Sequence, residues 1–144
     1  MSDNEQRSGP KRLAAAICLA FASAPAAAES IAGQWVAQNR KAVIGIEPCG
    51  RRMCGRIVRL LPASDVGKTV DERNSDARLR GRPLLGLPIL LDLEESESGW
   101  RGKLYDPQAG DTYTTVVGRY PDGALKVKGC FFFICKTQKW IAAR

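Results

Sequence analysis

Four cysteines stand in two copies of one spacing, Cys49 and Cys54 within EPCGRRMCGRIV (residues 47–58), and Cys130 and Cys135 within GCFFFICKTQKW (residues 129–140). In each copy a cysteine, four residues and a second cysteine lead into a strand-like run, as at a tight hairpin tip. Thiols so placed can form disulfides, ligate zinc, for which a four-residue spacer is within range, or exchange electrons. The spacer is not the two-residue one of thioredoxin-like sites, which favours structural staples over a redox use. Four cysteines allow three disulfide pairings, of which the local one, Cys49 with Cys54 and Cys130 with Cys135, suits facing positions at a hairpin end. Each such small loop adds about 2 kcal/mol in the chain-entropy picture.

Other reactive groupings are sparse. The chain of 144 residues has no histidine, which removes the commonest general base and metal ligand and with it any serine–histidine nucleophile. Asp106 and Asp111 flank one turn and have the types of an acid–base pair, though turn-forming and solvated roles outweigh that use. Gly81-Arg82-Pro83 lacks the lysine and the following helix of a phosphate loop. Asp71, Asn74 and Asp76 suggest calcium but lack the glycine and terminal glutamate of an EF-hand loop, so caps and Asx-turns are expected. The expectation is a protein that is not an enzyme and uses no cofactor or metal.

The compartment follows from the start of the chain. Lys11 and Arg12 precede the apolar run LAAAICLAFA (residues 13–22), and Ala26-Ala27-Ala28 supplies the small residues of a cleavage site. The run is shorter than the roughly 20 residues a bilayer span needs. A cleavable leader over residues 1–28 and a single domain over residues 29–144 are expected, with a periplasmic or secreted destination. Cys18 leaves with the leader, and an even cysteine count in an exported domain favours disulfides over zinc. The formal charge of +7 falls to +6, because Arg7, Lys11 and Arg12 outnumber Asp3 and Glu5 by one. The remaining basic residues are scattered among acids, as on a solvated surface. No nucleic-acid partner is expected, whereas anionic headgroups or envelope polysaccharide stay open.

The elements that must position these residues are strands. Ile31, Gly33, Trp35 and Ala37 alternate with Ala32, Gln34, Val36 and Gln38. Ala42, Ile44 and Ile46 alternate with Lys41, Val43, Gly45 and Glu47, and the chain returns after the first cysteine tip over residues 53–61. Residues 62–83 are charged, rich in breakers and without apolar period, and predict a long surface excursion that could serve as a binding edge or lid. Alternation resumes at Leu87, Ile89, Leu91 and Leu93, then at Trp100, Gly102 and Leu104. Turns at residues 106–110 and 121–123 separate the next strands, and residues 136–142 are the last. Eight short sequential strands, with no amphipathic helix, predict an all-β, single eight-stranded antiparallel meander closed into a barrel, since closure removes exposed edges. Its interior is either filled by side chains or holds one small ligand.

Gly33-Gln34-Trp35, Glu47-Pro48-Cys49-Gly50, Cys54-Gly55-Arg56-Ile57-Val58, Arg82-Pro83-Leu84-Leu85-Gly86-Leu87, Tyr105-Asp106-Pro107, Gly110-Asp111-Thr112-Tyr113 and Thr137-Gln138-Lys139-Trp140 together resemble the bacterial family catalogued as domain of unknown function 2147. The resemblance covers nearly all of residues 29–144. It implies an exported, lipocalin-like, eight-stranded barrel and implies no activity. In the lipocalin signature a basic residue near the end of the last strand packs across the tryptophan of Gly-x-Trp, and Arg144 is the candidate here.

Two functional expectations follow. The first is a barrel, expected to be a monomer, that buries a small apolar or amphipathic ligand among Trp35, Ile44, Leu104 and Leu125, with Arg59 or Arg82 pairing an acidic headgroup. The second is an interaction protein acting through residues 131–134, Phe-Phe-Phe-Ile, and the basic surface, against a membrane or a partner. Four consecutive apolar residues at a hairpin tip cannot all point inward by alternation. They either fold over the barrel mouth as a plug, the expected arrangement, or stand exposed.

Overall fold

The computed structural model describes residues 27–62 and 68–144, so the expected leader lies outside the described residues except for Ala27 and Ala28. Among the described residues eight strands follow one another: β1 Gly33–Val36, β2 Ala42–Cys49, β3 Arg52–Leu60, β4 Pro88–Ser96, β5 Gly99–Asp106, β6 Asp111–Arg119, β7 Leu125–Phe131 and β8 Ile134–Ala142. Each pairs antiparallel with the next. Trp35 opposite Ala142 and Val36 opposite Ile141 join β1 to β8 and close the barrel. The all-β antiparallel meander is the one the alternation predicts.

Inward positions form one apolar cluster that includes Trp35, Ile44, Ile57, Leu104, Leu125, Val127 and Trp140. In β4 the expected face of Leu87, Ile89, Leu91 and Leu93 is interrupted. Leu90 and Leu93 are fully buried while Leu91 is only half-buried, because the pairing with β5 shifts between Leu91 and Glu94 and Asp92 takes φ 51°. A bulge there turns consecutive side chains to the same side and bends the strand.

The two ends of the barrel differ. At the far end, the segment before β1 crosses the opening and Ile31 is fully buried in it. Side chains hold its backbone: Trp100 Nε1 donates to Glu29 O at 3.1 Å, Arg119 Nε to Ser30 O at 2.7 Å and Trp35 Nε1 to Ile31 O at 3.0 Å. The basic residue across the tryptophan is Arg119, whose guanidinium lies 4.9 Å from the Trp35 ring centroid. Arg144 does not take that place, because Arg119, at the end of β6, also reaches Gly123 O and is fixed by the turn beside it. The opposite end, the mouth, gathers the β1–β2, β5–β6 and β7–β8 turns and, from the excursion between β3 and β4, the described residues 68–87.

Both local disulfides are present, Cys49–Cys54 with Cα atoms 5.8 Å apart at the far end, and Cys130–Cys135 at 4.0 Å beside the mouth. The plug expected of residues 131–134 does not form. Cys130 faces Cys135 and Phe131 faces Ile134, so only Phe132 and Phe133 are left to make the turn, and a two-residue turn cannot fold back over the opening.

Candidate functional site

The mouth leads into a cavity of about 810 Å³. Its apolar wall is built from inward positions of six strands: Ile44 of β2, Ile57 of β3, Ile89 of β4, Leu104 of β5, Val127 of β7 and Trp140 of β8. Gly129 gives it width. A Cβ there would stand 3.5 Å from Leu104 Cδ2 and 3.7 Å from Tyr113 Cβ, so a longer side chain would project into the space the glycine leaves. The rim is polar, with Lys41, Lys68, Glu72, Arg73, Asp106 and Lys136 around it. An apolar wall with a few polar groups at the entrance is the usual make-up of a small-molecule site, and the volume is within the common range.

The excursion between β3 and β4 forms one side of the mouth and is anchored there by a buried polar cluster. Asp71, fully buried, accepts hydrogen bonds from Tyr105 Oη at 2.6 Å, Asn74 Nδ2 at 2.8 Å and Arg82 Nε at 2.9 Å. Asn74 Nδ2 also donates to Tyr105 Oη at 2.9 Å, and the Arg82 guanidinium lies 5.3 Å from the Tyr105 ring centroid. Burial, then the hydrogen bond to Asp71 and its charge, push the Tyr105 hydroxyl up to about 12. A second anchor is steric. Gly110, at φ 77°, lies so close to Arg73 that a Cβ would stand 1.8 Å from Arg73 O, so only glycine lets the excursion meet the β5–β6 turn. Arg73 Nη1 completes this contact by donating to Gln108 O at 2.8 Å.

Asn74 and Asp76 have the local roles expected of them. Asn74 Oδ1 accepts from Asp76 N at 2.8 Å, and Asp76 Oδ1 accepts from Arg78 N at 3.0 Å to cap the short 3-10 turn Ala77–Leu79. Its hydrogen bonds from Arg78 hold the Asp76 carboxyl below the usual range. Asp106 Oδ1 likewise serves its own turn, accepting from Gln108 N at 2.9 Å. Among the described residues no three His, Cys, Asp or Glu side chains stand together as metal ligands.

Of the six residues expected to contact a ligand, Ile44 and Leu104 line the cavity. Trp35 and Leu125 are buried in the core away from its lining, Arg59 is exposed, and Arg82 is engaged with Asp71. Ile57, Ile89 and Val127 line the cavity as well, on the same alternation that marked Ile44. The cationic rim residues come from loops, where no periodicity points inward.

Residues 33–142 match the family described as uncharacterized protein conserved in bacteria, DUF2147. The chain belongs to this family. The match begins with the first residue of β1 and ends with the last of β8, so the DUF2147 domain here is the whole barrel. This DUF2147 barrel is similar to a solved structure of protein HP1028 from Helicobacter pylori, whose title assigns that protein to the lipocalin family. The two are 20% identical with a TM-score of 0.65 over 80% of this chain and 84% of the other, a likeness that shows a lipocalin-like fold. Among curated proteins none matches the chain.

Proposed function

We propose that this DUF2147 protein is an exported, non-catalytic carrier that buries one small apolar or amphipathic molecule in its barrel. The observation that carries the reading is the cavity of about 810 Å³, apolar along its wall, open at a charged mouth and closed behind by Ile31 and its backbone anchors. An apolar tail would lie against Ile44, Ile57, Leu104 and Val127. A polar head would remain at the rim near Lys136 and Arg73, whereas Arg82, already paired, is not available to it. The two disulfides support an oxidising compartment outside the cytoplasm.

The test is intact mass measured under native and then denaturing conditions on protein made in an oxidising compartment. A co-purifying mass that is lost on denaturation supports the reading and identifies the compound class. Should no extra mass appear, and fatty acids, lysophospholipids and aromatic dyes all fail to bind the purified protein, the carrier reading falls.

A further inference from the structure

The hairpin tip between β7 and β8 has the opposite of a soluble turn's composition. Phe131, Phe132, Phe133 and Ile134 are 54, 86, 93 and 64% exposed, and Phe132 holds φ 52°, a conformation usually filled by glycine or asparagine. The tip is also rigidly built. The Cys130–Cys135 disulfide fastens its two legs, and the rings of Phe131 and Phe132 meet edge to face at 4.9 Å, with Tyr113 against Phe131 at 6.1 Å. A local sequence preference broken in this way, and then stabilised from both sides, marks a position where exposure of the side chains has a use.

Two further observations select the partner. Phe131 and Ile134 line the mouth of the cavity. The two side chains that stand clear of it, Phe132 and Phe133, are too few on a narrow apex for a stable protein interface, which needs about 800 Å² from each partner. They suit insertion between lipid headgroups, where no matching pocket is required. Among the described residues, cations also outnumber carboxylates around the mouth. Arg40, Lys41, Lys68, Arg73 and Lys136 stand there with only the carboxylates Glu72, Asp106 and Asp111. At the far end Asp92, Glu94, Glu95 and Glu97 are offset by Arg51, Arg52, Arg101 and Arg119, Arg52 being paired with Asp92 and Glu94. A local cationic excess turns the mouth toward a negative surface.

We propose that the tip inserts into an anionic phospholipid surface, bringing the barrel mouth against the bilayer. The docking stands apart from the carrier reading. Only its consequence rests on that reading: a ligand would pass between leaflet and cavity without crossing water.

The test uses the whole chain with vesicles of phosphatidylcholine containing phosphatidylglycerol, and with vesicles of phosphatidylcholine alone. Binding is expected to the first at low salt and to weaken as salt is raised. A Phe132→Ser, Phe133→Ser double change, at positions outside the core, is expected to weaken it roughly 100-fold with an unchanged thermal midpoint. A Phe133→Trp variant gives a readout specific to the tip. Its added emission is expected to shift to the blue on the anionic vesicles and to be quenched by brominated lipid. If the added tryptophan keeps the emission of a water-exposed indole in the presence of vesicles, the proposal is overturned. It is equally overturned if the variant shifts only on self-association in the absence of lipid, which would make the tip a contact between copies.

Discussion

The Tyr105 hydroxyl donates to Asp71 Oδ1 at 2.6 Å across 34 residues of sequence, tying the excursion to β5 at the edge of the cavity. Asp71 also takes Asn74 and Arg82, so one buried carboxylate organises three partners from two parts of the chain. Breaking such a cluster leaves a charge without compensation. Asp71→Ala is expected to lower stability by about 3 kcal/mol, measured as the midpoint of urea unfolding, and to make the excursion susceptible to protease before the barrel unfolds.

The same hydroxyl gives an alkaline signature. In the unfolded chain Tyr105 ionises near the ordinary 10.0, whereas in the fold it is pushed up to about 12, by burial first and by Asp71 second. A raised acid is neutral in both states at low pH, so its contribution to stability is fully present below pH 10. Above that the unfolded state loses its proton first, and the contribution is lost as pH rises toward 12. Stability of the wild type should therefore fall more steeply between pH 10 and 12 than that of Tyr105→Phe. Parallel curves for the two proteins would show that Tyr105 is not the group responsible.

Arg119 closes the far end through the Trp35 ring and the carbonyls of Ser30 and Gly123. Arg119→Ala removes a cation–π contact and two charge-assisted hydrogen bonds, and is expected to cost about 2–3 kcal/mol in chemical unfolding. Arg119→Lys keeps the charge but not the planar fork that serves both carbonyls. It should recover about half of the loss, and tryptophan emission should move to the red in the alanine variant alone.

The contrast between Arg119 and Arg144 shows what was legible in the sequence. Strand alternation, turn residues and the repeated cysteine spacing depend on neighbours in the chain, and they yielded the closed barrel and both disulfides. Arg119 meets Trp35 from a strand 84 positions away, and nothing local distinguishes it from other arginines of the surface. Asp71 was visible only as part of an acidic loop, since burial of a carboxylate depends on partners as distant as Tyr105. The inward face of β4 was displaced by a bulge at Asp92, a non-glycine residue at φ 51° that no turn signal announces. The tip was misjudged for the same kind of reason. Hydrophobicity argued for burial, while the length of the turn, set by the Cys130–Cys135 pair, decided for exposure.

Gly129 offers a direct control of the cavity. Its backbone is not in the left-handed region, and the atoms nearest a new Cβ are at ordinary contact distance, so Gly129→Leu fits without strain at its first carbon and extends into the cavity. The expected outcome is a fold of unchanged or slightly raised stability that has lost its co-purifying molecule, or binds an added one at least tenfold more weakly. Titration with a fluorescent fatty acid measures this. Undiminished affinity would place the binding site outside the barrel.

The two disulfides close loops of equal length, so loop entropy assigns each about 2 kcal/mol, and either double change to serine should lower the unfolding midpoint to a similar extent. Their positions predict different losses of function. Cys130→Ser with Cys135→Ser releases the legs of the tip, and ordering the apex on a bilayer then carries a conformational cost that the linked hairpin has already met. Vesicle binding should weaken several-fold. Cys49→Ser with Cys54→Ser lies at the other end of the barrel and should leave vesicle binding unchanged at temperatures where both variants remain folded. Equal loss of binding in the two variants would mean that the disulfides act through global stability and that the rigidity of the tip contributes nothing of its own.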